Sequence, residues 1–147
     1  MSGAPRNVQV VVDCRDALTL ADWWAETLGW SVEQTEESFI RSMLEQGHAR
    51  EDDTTTHHGR LVWRGASAIT PTPDDGPERF RVLFMDVPEP KSTKNRLHLD
   101  VRCGEAGKDA VRAELEARGA SYLRTGQQGP HSWHVMLDPE GNEFCIG

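Results

Sequence analysis

The chain runs through one order of elements twice, and this constrains its fold more than any other feature. Cys14 lies 89 residues before Cys103, Asp16 lies 89 before Glu105, and Gln9 lies 89 before His98. Gly29 lies 90 residues before Gly119. Identity between the halves is low, so order and spacing carry the repeat. Each half reads strand, helix, glycine, strand, further strands. A βαβββ unit covers one face of its sheet with a helix and leaves the other face open. Pairing two such units closes a shared cavity lined from both. The expected fold is therefore α+β, with two tandem βαβββ modules over about residues 6–90 and 95–147 of a single domain.

The local signals fit this plan. "NVQVVVDC" is a first strand by its β-branched residues. Asp16 is placed as the N-cap of a helix with Ala17, Leu20, Ala21, Trp24 and Leu28 on one face, and Gly29 as its left-handed stop. "ESFIRSMLEQGHAR" reads as a short helix with Phe39, Ile40, Met43 and Leu44 clustered. "EDDTTTHHG" has no apolar residue and reads as a mobile loop in an insertion over about residues 34–60. "RLVWRGASAI" is a strand interrupted at Gly65, "TPTPDDGPE" a turn, and "RFRVLFMDV" a strand. "EAGKDAVRAELEAR" is a helix with Ala110, Val111, Ala113, Leu115 and Ala117 inward, and "ASYLRT", "HSWHVML" and "NEFCIG" are strands, the last two joined by the turn "DPEG".

Composition excludes several classes. Sixteen basic against 24 acidic residues give a net charge of −8, which argues against nucleic acid. Cys14, Cys103 and Cys145 are odd in number and form no CxxC pair, so a reducing cytoplasm is expected rather than a disulfide framework or structural zinc. No apolar run approaches the roughly 20 residues that cross a bilayer, and none forms a secretory signal.

The candidate chemistry centres on "RLHLDV". Strand alternation puts Arg96, His98 and Asp100 on one face and Leu97, Leu99 and Val101 on the other. The repeat places His98 at the cavity. Either Arg96 and Asp100 form an ion pair straddling the histidine, or Asp100 orients the ring while Arg96 holds an anionic group. Trp133 shares a face with His131 and Val135, opposite His134, and offers an aromatic wall or plain core packing. Trp63 is open to the same two readings, whereas Trp24 reads as core. Adjacent His57 and His58 do not converge easily on a metal and read as solvated loop.

"DCRDALTLADWWAETLGW", "VPEPKSTKNRLHLDV" and "LDPEGNEFCIG" together resemble the vicinal oxygen chelate superfamily, specifically its glyoxalase-like, bleomycin-resistance-like branch. The resemblance covers about residues 8–33 and 80–147. It implies the glyoxalase/bleomycin resistance/dioxygenase fold and a homodimer; Lys91 and Lys94 read as a solvated connector, and their place in the branch motif points to holding the two halves together rather than to chemistry. It also implies seats for a divalent ion, zinc, nickel or iron, on the first and last strands of each half. Carried over, these seats fall on Gln9, on His98, near Met85, and on Cys145, where the metal enzymes have a carboxylate. Asp86 beside Met85 faces the other way by strand register. Glu143, two residues before Cys145, shares its face and could replace the carboxylate as ligand or serve as the proton-transfer base.

Two functions follow from the resemblance. One is a metal-assisted lyase or isomerase acting on a small molecule with neighbouring oxygens, using His98 and Glu143. The other is a metal-free protein that sequesters an antibiotic or metabolite. In both, Arg96, Asp100, Trp133 and Cys145 touch the ligand.

Overall fold

The computed structural model describes residues 3–71 and 80–147. The turn expected over 70–78 lies mostly outside them. The chain divides into two compact units, residues 1–88 and 89–147.

The first unit contains β1 (Val10–Cys14), α1 (Ala17–Leu28), β2 (Ser31–Val32), α2 (Glu37–Glu45), a 3-10 turn (Glu51–Asp53), β3 (Thr54–His57), β4 (Arg60–Trp63), β5 (Ala66–Thr70) and β6 (Val82–Asp86). The second contains β7 (Leu99–Val101), α3 (Lys108–Ala117), β8 (Ser121–Gln128), β9 (His131–Leu137) and β10 (Glu143–Ile146). Their sheets have one topology. The first is ordered β1-β6-β5-β2 and the second β7-β10-β9-β8. In both, the first strand runs parallel to the last and the remaining pairs are antiparallel. β1 and β7 begin 89 residues apart, so the repeat read from the sequence is a repeat of topology.

The caps explain why the helices sit where they do. Asp16 accepts from the Thr19 amide at 3.1 Å and from its hydroxyl at 2.8 Å, starting α1. Gly29 ends it with φ 67°, in the left-handed region that a side chain disfavours. Asp86, at the end of β6, accepts from the Ala17 amide at 2.7 Å and so ties the last strand to the first turn of α1. Leu20, Ala21, Trp23, Trp24 and Ala25 are buried, whereas Leu28 is only half-buried. The rings of Trp23 and Trp24 meet edge to face at 5.1 Å, so both adjacent tryptophans pack, not Trp24 alone.

In the second unit the core face carries Phe144, Ile146, Met136 and Leu115, all at most 1% exposed. Each contributes on the order of 1.5–3 kcal/mol by burial. α3 buries less of its apolar set than its pattern suggests. Ala110, Ala113 and Ala117 are exposed, and the aliphatic stem of Lys108 fills the interior while its ammonium reaches Glu105 and Ser132. His134 points to this helix face and meets Asp109 at 2.6 Å.

The insertion differs from its expected form. α2 forms as expected but buries only Ile40, leaving Phe39 exposed. "TTTHHGRLVW" is a β-hairpin, not a mobile loop: Thr54 pairs with Trp63 and His57 with Arg60. Its two central residues, His58 and Gly59, have φ of 49° and 74°, the type I′ pattern that matches strand twist. The β-branched Thr54–Thr56 run is the strand signal that polarity concealed. Glu37 of α2 accepts from the Leu61 amide at 3.0 Å and fastens the hairpin.

Candidate functional site

On the face of the second sheet turned away from α3, pairing sets four residues in a row. Arg124 of β8 registers with Val135 of β9, Val135 with Cys145 of β10, and Cys145 with Asp100 of β7. Paired residues share a face, so Arg124, Cys145 and Asp100 point together. A bulge between Tyr122 and Arg124 shifts the register of β8, giving Arg124 a place in the row that strict alternation from Tyr122 would give Leu123. His98 precedes β7 and its Nδ1 lies 3.1 Å from Asp100 Oδ1. One ligand atom from each of His98, Asp100 and Cys145 lies within 4.8 Å of the others. Imidazole, carboxylate and thiol are a donor set suited to zinc, and His98 and Asp100 are open to solvent, with side chains 43% and 67% exposed. These residues therefore fit a divalent ion.

Cys145 carries a raised pKa. Burial is the largest cause, followed by the negative charge of Asp100, with Arg124 and Lys94 opposing. The thiol is thus protonated near neutral pH until a cation replaces its proton. His98 Nδ1 faces Asp100 Oδ1, so an ion held by both residues would sit at that contact.

Glu143 is engaged elsewhere. Its carboxylate accepts from Lys91 Nζ and from the Asn95 amide, each at 3.1 Å. Burial alone would raise its pKa, but the Asn95 amide and then the Lys91 ammonium outweigh that, and the pKa is lowered. Asn95 also donates to Asn142 at 2.9 Å, and Asp138 accepts from the Glu140 and Asn142 amides at 2.9 and 3.0 Å. The "KSTKN" and "DPEGNE" motifs thus clasp each other within the second unit. Lys91 joins the connector to β10.

Trp133 lies on the open face as alternation requires. A Cβ at Gly126 would fall 2.4 Å from its Cε2 and 2.5 Å from its Nε1, so the indole rests on the bare glycine of β8. Arg96 is exposed and precedes the strand rather than belonging to it, because β7 covers only Leu99–Val101. Gln9 is exposed, immediately before β1, where His98 stands before β7. Met85 is 41% exposed, and Asp86 is occupied at the α1 amide. Arg124 is the residue that sequence reading missed, since only the bulge brings it to this face.

Residues 9–147 match the family model described as a glyoxalase-like domain. No curated protein sequence matches the chain. A glyoxalase/bleomycin resistance/dioxygenase family enzyme from Burkholderia phytofirmans PsJN superposes with a TM-score of 0.58 at 16% identity, covering 94% of each chain. A mutant of the fosfomycin resistance protein FosX from Listeria monocytogenes, solved with Mn(II) and 1S,2S-dihydroxypropylphosphonic acid, gives 0.61 at 7% identity, over 99% of this chain and 91% of that one. Trypanothione-dependent glyoxalase I from Leishmania major gives 0.54 at 9%, over 97% and 86%. At these identities the superpositions establish the fold.

Proposed function

The chain belongs to the glyoxalase-like domain family of the vicinal oxygen chelate superfamily, and on that footing we propose that it is a metal-assisted lyase or isomerase acting on a small organic molecule with neighbouring oxygens. The observation that carries this reading is the gathering of His98, Asp100 and Cys145 on one open sheet face. A divalent ion held there supplies a Lewis acid for two adjacent substrate oxygens. The remaining roles belong to the chain. Asp100 lies against His98 Nδ1, so carboxylate and imidazole already face one point. Arg124 and Lys94 bring positive charge to Cys145 against the negative charge of Asp100, and offer an anionic substrate group cationic partners. The Trp133 indole forms a flat wall on the same face. The Mn(II) and diol-bearing phosphonate in the FosX mutant are a precedent for such a pairing in that protein.

Glu143 enters this account differently from the sequence reading. Its carboxylate is committed to Lys91 and Asn95, and its lowered pKa makes it a weak proton acceptor. We assign it the positioning of the segment that carries His98. The same commitment favours the second reading, metal-free sequestration, because it withholds a carboxylate from the ion.

Thermal shift separates the two. Zinc-loaded protein is expected to be stabilised by compounds with vicinal oxygens, such as hydroxyketones, diols and hydroxyphosphonates. That effect should vanish with chelator and in His98→Ala. Stabilisation by planar aromatic cations regardless of metal would overturn the enzyme reading in favour of sequestration.

A further inference from the structure

The structure assigns a second divalent-metal site, of the zinc type, to Asp22, His57 and His58 in the first unit. His57 Nε2 lies 2.7 Å and His58 Nε2 2.6 Å from the same oxygen, Asp22 Oδ2. The two rings stand 4.1 Å apart, and one ligand atom from each of the three residues lies within 4.8 Å of the others. Neighbouring residues in a strand point to opposite faces, which is why such a pair is not expected to converge. Here His57 ends β3 and His58 opens the turn with φ 49°, the only positive φ outside glycine among the described residues. That left-handed step turns the second imidazole to the side of the first. Asn or Gly would fill the position without strain, and a strained backbone at a cluster of ligands points to a use for the side chain.

The chemistry suits one ion. Two imidazoles and a carboxylate match zinc, and copper or nickel less selectively. Both nitrogens bond Oδ2, which as a carboxylate oxygen accepts, so each Nε2 carries the hydrogen; a divalent ion would take that place with the hydrogen of each neutral ring moved to Nδ1, and would gain three ligands. A tetrahedral ion at roughly 2.0–2.1 Å from each donor needs donors about 3.3 Å apart. The present 2.6 and 2.7 Å must therefore open by about 0.6–0.7 Å. The His58 side chain is 73% exposed at a turn tip and has room to make that adjustment. His57 at 24% and Asp22 at 31% are held more firmly. Once bound, the ion would join the inserted hairpin to α1, a link the βαβββ plan does not otherwise supply.

The test uses zinc alone on the full chain carrying Cys145→Ser, which removes the thiol of the other candidate site. Calorimetry on chelator-stripped protein is expected to show one equivalent bound. Adding His58→Asn keeps a residue tolerant of positive φ and removes one ligand, and Asp22→Asn removes another while keeping shape. Each should weaken binding about 100-fold or more, since even outer-shell changes at metal sites cost 10–100-fold. Zinc should also slow amide exchange across Thr54–Trp63 in the parent and not in His58→Asn. Circular dichroism confirms that each variant is folded. No binding in the Cys145→Ser chain, or equal binding in the folded variants, would overturn the assignment.

Discussion

Gly126→Ala tests the packing of the open face by the sign of its effect. Gly126 lies inside β8 and its φ is not positive, so alanine suits its backbone. Without the indole overhead, alanine should stabilise the chain by about 0.4–1 kcal/mol through the unfolded state. With it, the new Cβ sits 2.4, 2.5 and 2.6 Å from Trp133 Cε2, Nε1 and Cζ2. Carbon atoms rest no closer than about 3.5 Å, so the ring must retreat by roughly 1.1 Å. Overpacking of this kind costs about 1–3 kcal/mol, and Trp133 is half-buried with space to swing outward. The net expectation is a loss of about 0.5–2 kcal/mol. With a urea m-value near 2 kcal/mol per molar, the midpoint should fall by about 0.3–1 M. In a Trp133→Ala background the same substitution should become neutral or stabilising, because the clash partner is gone. A midpoint that rises in the parent background, with Trp133 present, would refute the stacking and the wall built on it.

Glu143→Gln should destabilise the chain by about 1–3 kcal/mol in urea denaturation, since glutamine cannot neutralise the partly buried Lys91 ammonium. Its readout as a proton acceptor would instead be lost turnover at unchanged stability. Asp109 has a lowered pKa from its bond to His134, so its contribution is present above the ordinary carboxylate range and lost as pH falls through the folded value. Asp109→Asn should accordingly flatten the acid limb of a stability–pH curve, and an unchanged limb would contradict the pairing. Asp100 helps to raise the Cys145 pKa, so Asp100→Asn should speed alkylation of Cys145 in metal-free protein, as read by peptide mapping. A slower reaction would place Asp100 away from the thiol.

Where local chemistry decides structure, the sequence was legible. Asp16 and Gly29 end α1 as their residue types require, and alternation placed Trp133 and His134 on opposite faces. The 89-residue spacing translated directly into matching sheet orders. What stayed hidden depends on backbone irregularity or on pairs distant in sequence. A bulge beyond Tyr122 moves Arg124 into the row, and a left-handed histidine turns a polar stretch into a hairpin with two converging imidazoles. Asp22 could not be tied to His57 from sequence, because His57 lies 35 positions further on, inside the insertion. Glu143 looked like a free carboxylate on the right strand face, and only the folded connector revealed that Lys91 and Asn95 already hold it.

X-ray absorption at the zinc edge, on full chain carrying His58→Asn and loaded with one equivalent, tests the central claim most directly. We predict a shell with one sulfur at about 2.3 Å and one imidazole nitrogen at about 2.0–2.1 Å. The sulfur should be absent when Cys145→Ser is added. A shell of nitrogen and oxygen only, identical with and without Cys145, would contradict it.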